Sequence, residues 1–203
     1  MPYAIILSDM KITRSSKCSL QFATQAKHAV LKDVLSEYGR VVNFFIEHFW
    51  ALEEPLSKGE LLKPIVDLPV TWLSARFRKV AAREALSMIT ASRNRWGREK
   101  AVRPVHKGLT MCVSSAVADL QGAKEARGFD AWLMLRCIGN KVSLDLPIKF
   151  HKHYNRLAAR GQRLNSYVIT PWSVTFAFEI DTGPSGLRES TSGWIRASTP
   201  WRR

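Results

Sequence analysis

The sequence predicts an α+β fold: a small antiparallel β-barrel or sandwich with a helical lobe inserted after its first strand. Three observations carry this. Apolar residues recur every three or four positions between residues 26 and 89. After Pro104 the period changes to two. A short β-branched stretch at the N-terminus has no strand neighbour of its own, so it must join the later ones. The implied division is residues 1–20 as the first strand, 21–103 as the helical lobe, 104–183 as the β-domain, and 184–203 as a poorly ordered tail.

Each element has its own warrant. YAIILSDMKITR, residues 3–14, reads as a strand ending in a turn at Ser15-Ser16-Lys17. Met1 to Met10 holds no Lys or Arg and is not a signal peptide by pattern. Thr24 caps a helix whose apolar positions include Val30, Leu31, Val34, Leu35, Tyr38, Val41, Val42, Phe45, Ile46, Phe49 and Trp50, one wide stripe facing a core. Gly39 inside it marks a bend or a close crossing, because Gly costs a helix about 1 kcal/mol relative to Ala. Three prolines between residues 55 and 70 make a connection. A second helix follows Pro69, with Trp72, Leu73, Phe77, Val80, Ala81, Ala85, Leu86 and Ile89 on its buried side. Residues 109–117 read as a strand, and 131–138 and 141–146 as a hairpin turning at Gly139-Asn140. A short basic helix or loop spans 151–160, and a last hairpin, 164–170 with 173–180, turns around Pro171-Trp172.

Charge narrows the function classes. Among 203 residues, 31 Lys and Arg stand against 17 Asp and Glu, a net charge of +14, which makes nucleic acid the leading partner. No apolar run reaches the ~18 residues of a spanning helix, so no membrane role is expected. The three cysteines, Cys18, Cys112 and Cys137, are odd in number and form no CxxC pair. They read as buried, reduced thiols of a cytoplasmic protein, nucleoid-associated if it is DNA-bound. GxSxG, HExxH, GxxxxGK[ST] and GxGxxG are all missing from the sequence.

Two segments concentrate the positive charge. From Val70 to Lys107 there are ten Lys or Arg and two acids. The candidates there are Arg76, Arg78, Lys79, Arg83, Arg93, Arg95, Arg98 and Lys100. Ordinary solvated helix faces mix signs. Between Asp145 and Glu179 there is no acid at all. The candidates there are Lys149, His151, Lys152, His153, Tyr154, Asn155, Arg156, Arg160, Arg163 and Asn165. Tyr154, Phe150, Trp96, Trp72 and Trp172 interleave with the cations, the mixture that base stacking with phosphate contact requires, although Trp72 fits a core position. His151 and His153 lie two apart, but no third ligand is near in sequence, so phosphate or base contact is favoured over metal. Asp181, ending a strand as Ile-Asp-Thr-Gly, is a catalytic candidate only in form. Two-metal nuclease sites need several carboxylates, and the 22 residues after it hold one acid, Glu189.

The distributed pattern resembles the N-terminal half of an OrfB-type, TnpB-like RNA-guided nuclease, the group related to compact type V CRISPR effectors. The matching pieces are the early strand, the helix carrying Glu37-Tyr38…Val41-Val42-Asn43-Phe44-Phe45, and the segment Arg83 to Ile89. Asp145 to His153, Leu164 to Ile169 and Ser173 to Asp181 resemble strands of the wedge domain. The resemblance implies a wedge and helical recognition lobe that hold a structured guide RNA and, through it, a DNA target, reading geometry and backbone. It also implies a RuvC-type nuclease domain that should follow and would bring Mg2+. This chain instead continues SGLRESTSGWIRASTPWRR. It therefore reads as a truncated or frame-shifted copy, or as a natural half-protein. Asp181 then belongs to the last wedge strand, and no cofactor is expected in this chain. The alternatives are a subunit completing a nuclease with another chain, and a basic structural RNA-binding protein of a ribonucleoprotein.

Overall fold

The computed structural model describes residues 11–52, 56–97, 99–123 and 128–181. The readings for residues 3–10, Arg98 and the tail lie outside this set. The chain is α+β, with two antiparallel sheets of four and three strands. Among the described residues the two sheets do not close into a barrel, which leaves the sandwich-like alternative.

Helix α1, Gln25–Trp50, follows from the predicted stripe: Leu31, Val34, Leu35, Tyr38, Val41, Val42, Phe45, Ile46 and Phe49 are buried. Thr24 Oγ1 accepts from the Lys27 N–H at 3.4 Å and caps it. A single turn, α2 (Lys63–Val66), has Pro64 in its first turn, where a missing N–H costs nothing. Helix α3, Ala75–Trp96, is capped by Ser74 and buries Phe77, Ala81, Ala82, Ala85, Leu86 and Ile89. Glu37 meets Thr71, Tyr38 meets Glu84 and Trp50 meets Arg93, so α1 and α3 run in the same direction and the connection returns along them.

Gly39 is a crossing, not a bend. A Cβ there would lie 2.5 Å from the Gly108 Cα and 3.0 Å from His106 Nδ1. The segment entering the β-domain passes directly over α1, and only a hydrogen fits between them.

Strand β1, Lys11–Ser19, pairs antiparallel with β7, Ser173–Asp181, from Lys11↔Asp181 to Ser19↔Ser173. The expected turn at Ser15-Ser16-Lys17 is therefore strand, because β7 supplies a ladder partner for every one of these residues. β7 pairs with β6, Gln162–Ile169, and β6 with β2, Met111–Ser114, in the order β1-β7-β6-β2. The predicted strand 109–117 breaks at Ser115 and Ala116. The chain turns a corner there, leaves the first sheet, and continues as β3, Ala118–Gly122, in the second. That sheet has the order β3-β4-β5, with β4 Ala131–Gly139 and β5 Val142–Ile148. The hairpin turns on Asn140 and Lys141, both at positive φ (44° and 60°), one residue later than expected. Gly139 is reserved for contact, since a Cβ on it would meet the Trp72 carbonyl oxygen at 2.0 Å. Between β5 and β6 lies α4, Lys152–Ala158.

One continuous apolar cluster takes residues from α1, α3 and both sheets, including Phe45, Phe77, Leu133, Leu146, Phe176 and Phe178. Among the described residues no helix is long and apolar enough to cross a membrane.

Candidate nucleic-acid interface

On α3, Arg76, Lys79 and Arg83 follow one another at helical spacing and are all exposed. Lys79 and Arg83 make no ion pair among the described residues, and Arg76 Nη1 reaches only the Cys137 Sγ, at 3.7 Å. The remaining cations of this segment divide. Arg78 is turned sideways to Asp67, 2.5 Å away. Arg93 donates to the Trp50 carbonyl at 3.3 Å and lies over its ring. Arg95 lies 5.8 Å from the Trp96 ring centroid, and Lys100 is exposed.

The single acid of α3 points the other way. Glu84 Oε2 accepts from the Tyr38 hydroxyl at 2.6 Å and from the Cys112 N–H at 3.1 Å. His106 Nδ1 accepts from the Gly108 N–H, so its proton sits on Nε2, 3.5 Å from Glu84 Oε1. Burial pushes the Glu84 carboxyl up, but the bonds from His106, Tyr38 and Cys112 together outweigh it and hold the group below its ordinary value. Of the three cysteines expected to be buried only Cys18 is, since Cys112 takes the outward position in the alternation of β2 and the register shift in β4 between Leu135 and Gly139 leaves Cys137 outside. Partial burial of the Cys112 thiol, and after it the Glu84 carboxylate, push it up to about 11. A thiol so placed is a poor nucleophile at neutral pH. With Glu84 consumed inside, the outer face of α3 is purely cationic. Beside it runs an open cleft of about 350 Å³ toward β2, lined by Arg83, Glu84, Ser87, Cys112 and Ser166 among others, with the Glu84 carboxylate already engaged by its partners.

The basic run after β5 is sorted by the fold. β1 is an edge strand whose free carbonyls face α4. His151 Nε2 lies 3.0 Å from the Lys17 carbonyl oxygen and His153 Nε2 lies 3.4 Å from that of Ser15. Both rings thus cover an edge that would otherwise be open. Tyr154 is corrected from stacking candidate to core residue: it is 6% exposed, stacked on Phe150 at 3.9 Å, with Phe176 and Phe178 edge-on. No face of its ring is left for a base. Lys149 pairs with Asp130 at 3.2 Å. Arg163 lies near the Tyr167 ring, 5.9 Å from its centroid. Lys152, Asn155 and Asn165 are exposed. Arg156 and Arg160 line a groove of about 730 Å³ with Arg14, His153 and Asp181.

Among the described residues, the ionisable neighbours of Asp181 in this lining are three arginines and a histidine, and no second carboxylate of the kind that holds Mg2+ joins it there.

The two basic patches lie at opposite edges of the first sheet, α3 by β2 and α4 by β1, three strand spacings or about 14 Å apart across the sheet alone. Of the interleaved aromatics, Trp96 and Trp172 are exposed, at 58% and 61%. Trp172 is flanked by Lys32, whose Nζ lies 5.0 Å from its ring centroid, and by His28, whose ring lies 4.8 Å away. Sequence reasoning missed Arg14 and Lys32, whose neighbours in sequence carry no charge cluster. The signal that finds Arg14 is its register on β1, opposite Phe178 and beside α4.

The chain matches no family model and no curated protein.

Proposed function

We propose that this chain is an RNA-binding module without a complete nuclease site of its own, the part of a TnpB-like system that holds a structured guide RNA. The observation that carries this is the exposed, acid-free stripe Arg76-Lys79-Arg83, left so because Glu84 is bound inward by Tyr38 and Cys112. Exposed cations without partners are free to exchange counterions for phosphates, which is the source of nucleic-acid affinity. The net charge of +14 supports the same class of partner. The narrower assignment to a guide RNA, and through it to a DNA target, rests on the resemblance of residues 145–181 to wedge strands.

The test is the affinity of the purified protein for fluorescent oligouridine, measured by anisotropy across a salt series. Wild type should give a steep negative slope of log K against log salt. Replacing Arg76, Lys79 and Arg83 together by Ala should make the slope shallower by about 2, at ~0.7 for each single-strand phosphate lost. A flat wild-type plot would remove the reading. An unchanged slope in the variant would return the α3 stripe to an idle surface. RNA recovered with the protein from cells should share a folded sequence element; a random sample would overturn the guide-RNA assignment.

A further inference from the structure

We propose that the groove between β1 and α4 is a second phosphate-binding site for the same RNA, with Arg14, Arg156 and Arg160 as its ligands and His153 as the residue that aims Arg156. This rests on the RNA-binding reading and extends it to the opposite edge of the sheet.

Three arginines, from β1, α4 and the turn after α4, converge on one open groove of about 730 Å³. Arg14 comes from β1, Arg156 from the last turn of α4, and Arg160 from just beyond that helix. The floor between them is apolar, made by Ile12, Leu157 and Ile180. Guanidinium groups grip phosphate oxygens two at a time, and an apolar floor gives the sugar and base a surface to lie on. One nucleotide of a passing strand meets both demands.

The groove is also prepared in advance. His153 Nε2 faces the Ser15 carbonyl at 3.4 Å, while its Nδ1 accepts from Arg156 Nη2 at 3.1 Å. The ring is thus oriented by the strand edge, and the arginine by the ring. A long side chain held in this way loses less freedom when it binds phosphate. Arg156 therefore depends on β1 twice: through His153 for its direction, and through Arg14 for its neighbour across the groove. Asp181 is the one carboxylate among the described residues of the lining. It opposes a bound phosphate, and its removal should strengthen binding rather than abolish a reaction.

The experiment uses the full chain and fluorescent oligouridine in a salt series, with circular dichroism and thermal melting as folding controls. The triple variant R14A/R156A/R160A should make the log–log slope shallower by about 2, and the charge-preserving R14K/R156K/R160K should restore it. His153→Ala should weaken binding, and His153→Gln, whose amide can still donate to Ser15 and accept from Arg156, should recover it. Asp181→Asn should tighten binding severalfold. A steep wild-type slope unchanged in the arginine-to-alanine triple variant would overturn this groove while leaving the α3 stripe standing. A flat wild-type slope would overturn both. A His153→Ala protein that binds like wild type would overturn the positioning role, and so would one that His153→Gln fails to rescue. Weaker binding on Asp181→Asn would overturn the placement of phosphate beside that carboxylate.

Discussion

Gly39→Ala should be a strongly destabilising change, although it puts the best helix former into the middle of a helix. On an exposed helix surface the substitution stabilises by about 1 kcal/mol. Here the new methyl would lie 2.5 Å from the Gly108 Cα and 3.0 Å from both the Gly108 nitrogen and His106 Nδ1. Two of these are backbone atoms, and Gly108 itself sits at φ +68°, so the crossing segment cannot turn away in place. It must lift off α1. That movement strains two bonds between Asn43 and His106, Nδ2 to carbonyl at 2.8 Å and N–H to Oδ1 at 2.7 Å. Overpacking costs about 1–3 kcal/mol, and each strained bond adds about 1 kcal/mol. Less the helix gain, the net loss is about 2–4 kcal/mol. Urea unfolding of the variant beside Ser36→Ala, an exposed control on the same helix, measures it. A Gly39→Ala protein as stable as wild type, or more so, would refute the crossing and restore the bend.

Other expectations follow from the same contacts. Ser74→Ala removes the cap of α3 and its bond to the Cys137 carbonyl; it should cost about 1–2 kcal/mol, read as a lower urea midpoint. Glu84→Gln leaves three donors facing one amide oxygen and should cost about 1–3 kcal/mol at neutral pH. Because the folded Glu84 value lies below its ordinary 4.5, its stabilisation is complete above that pH and is lost as the pH falls through the folded value. Unfolding midpoints of the variant should therefore fall less steeply below about pH 4.5 than those of wild type, and equal acid limbs would refute the network. The same variant should speed alkylation of Cys112, whose thiol stands at about 11 partly because of Glu84; peptide mapping after timed iodoacetamide exposure reads this, and an unchanged rate refutes the coupling.

Much of the fold was legible because its signals are local. Thr24, the three-and-four spacing up to Trp50, and the polar–apolar alternation of β5 each act within a few residues. What was not legible depends on distant partners. Ser15, Ser16 and Lys17 look like a turn until β7 is placed beside them, since strand formation here comes from pairing and not from propensity. The corner at Ser115 was hidden because changing sheets leaves the alternation intact on either side of it. The candidate site suffered most from reading charge along the chain. Arg76, Lys79 and Arg83 share a face through helical period alone, so sequence suffices. Lys149 and Tyr154 lie in an equally basic run, yet Asp130, Phe176 and Phe178 claim them from elsewhere. Arg14 joins the groove for the converse reason.

The pairing of β1 with β7 sets a timetable. β1 is made first among the described strands, yet its ladder partner begins at Ser173, and the histidines that cover its other edge are His151 and His153. At ~5–20 residues per second of synthesis, β1 waits roughly seven to thirty seconds for either neighbour. During that interval it is an unpaired strand attached to a cationic helical pair that already carries its own apolar stripe. An RNA that binds α3 early would hold this nascent half in solution until the last hairpin arrives. Translation interrupted before residue 173 would release a chain with a permanently open strand, and such products should aggregate unless RNA is present.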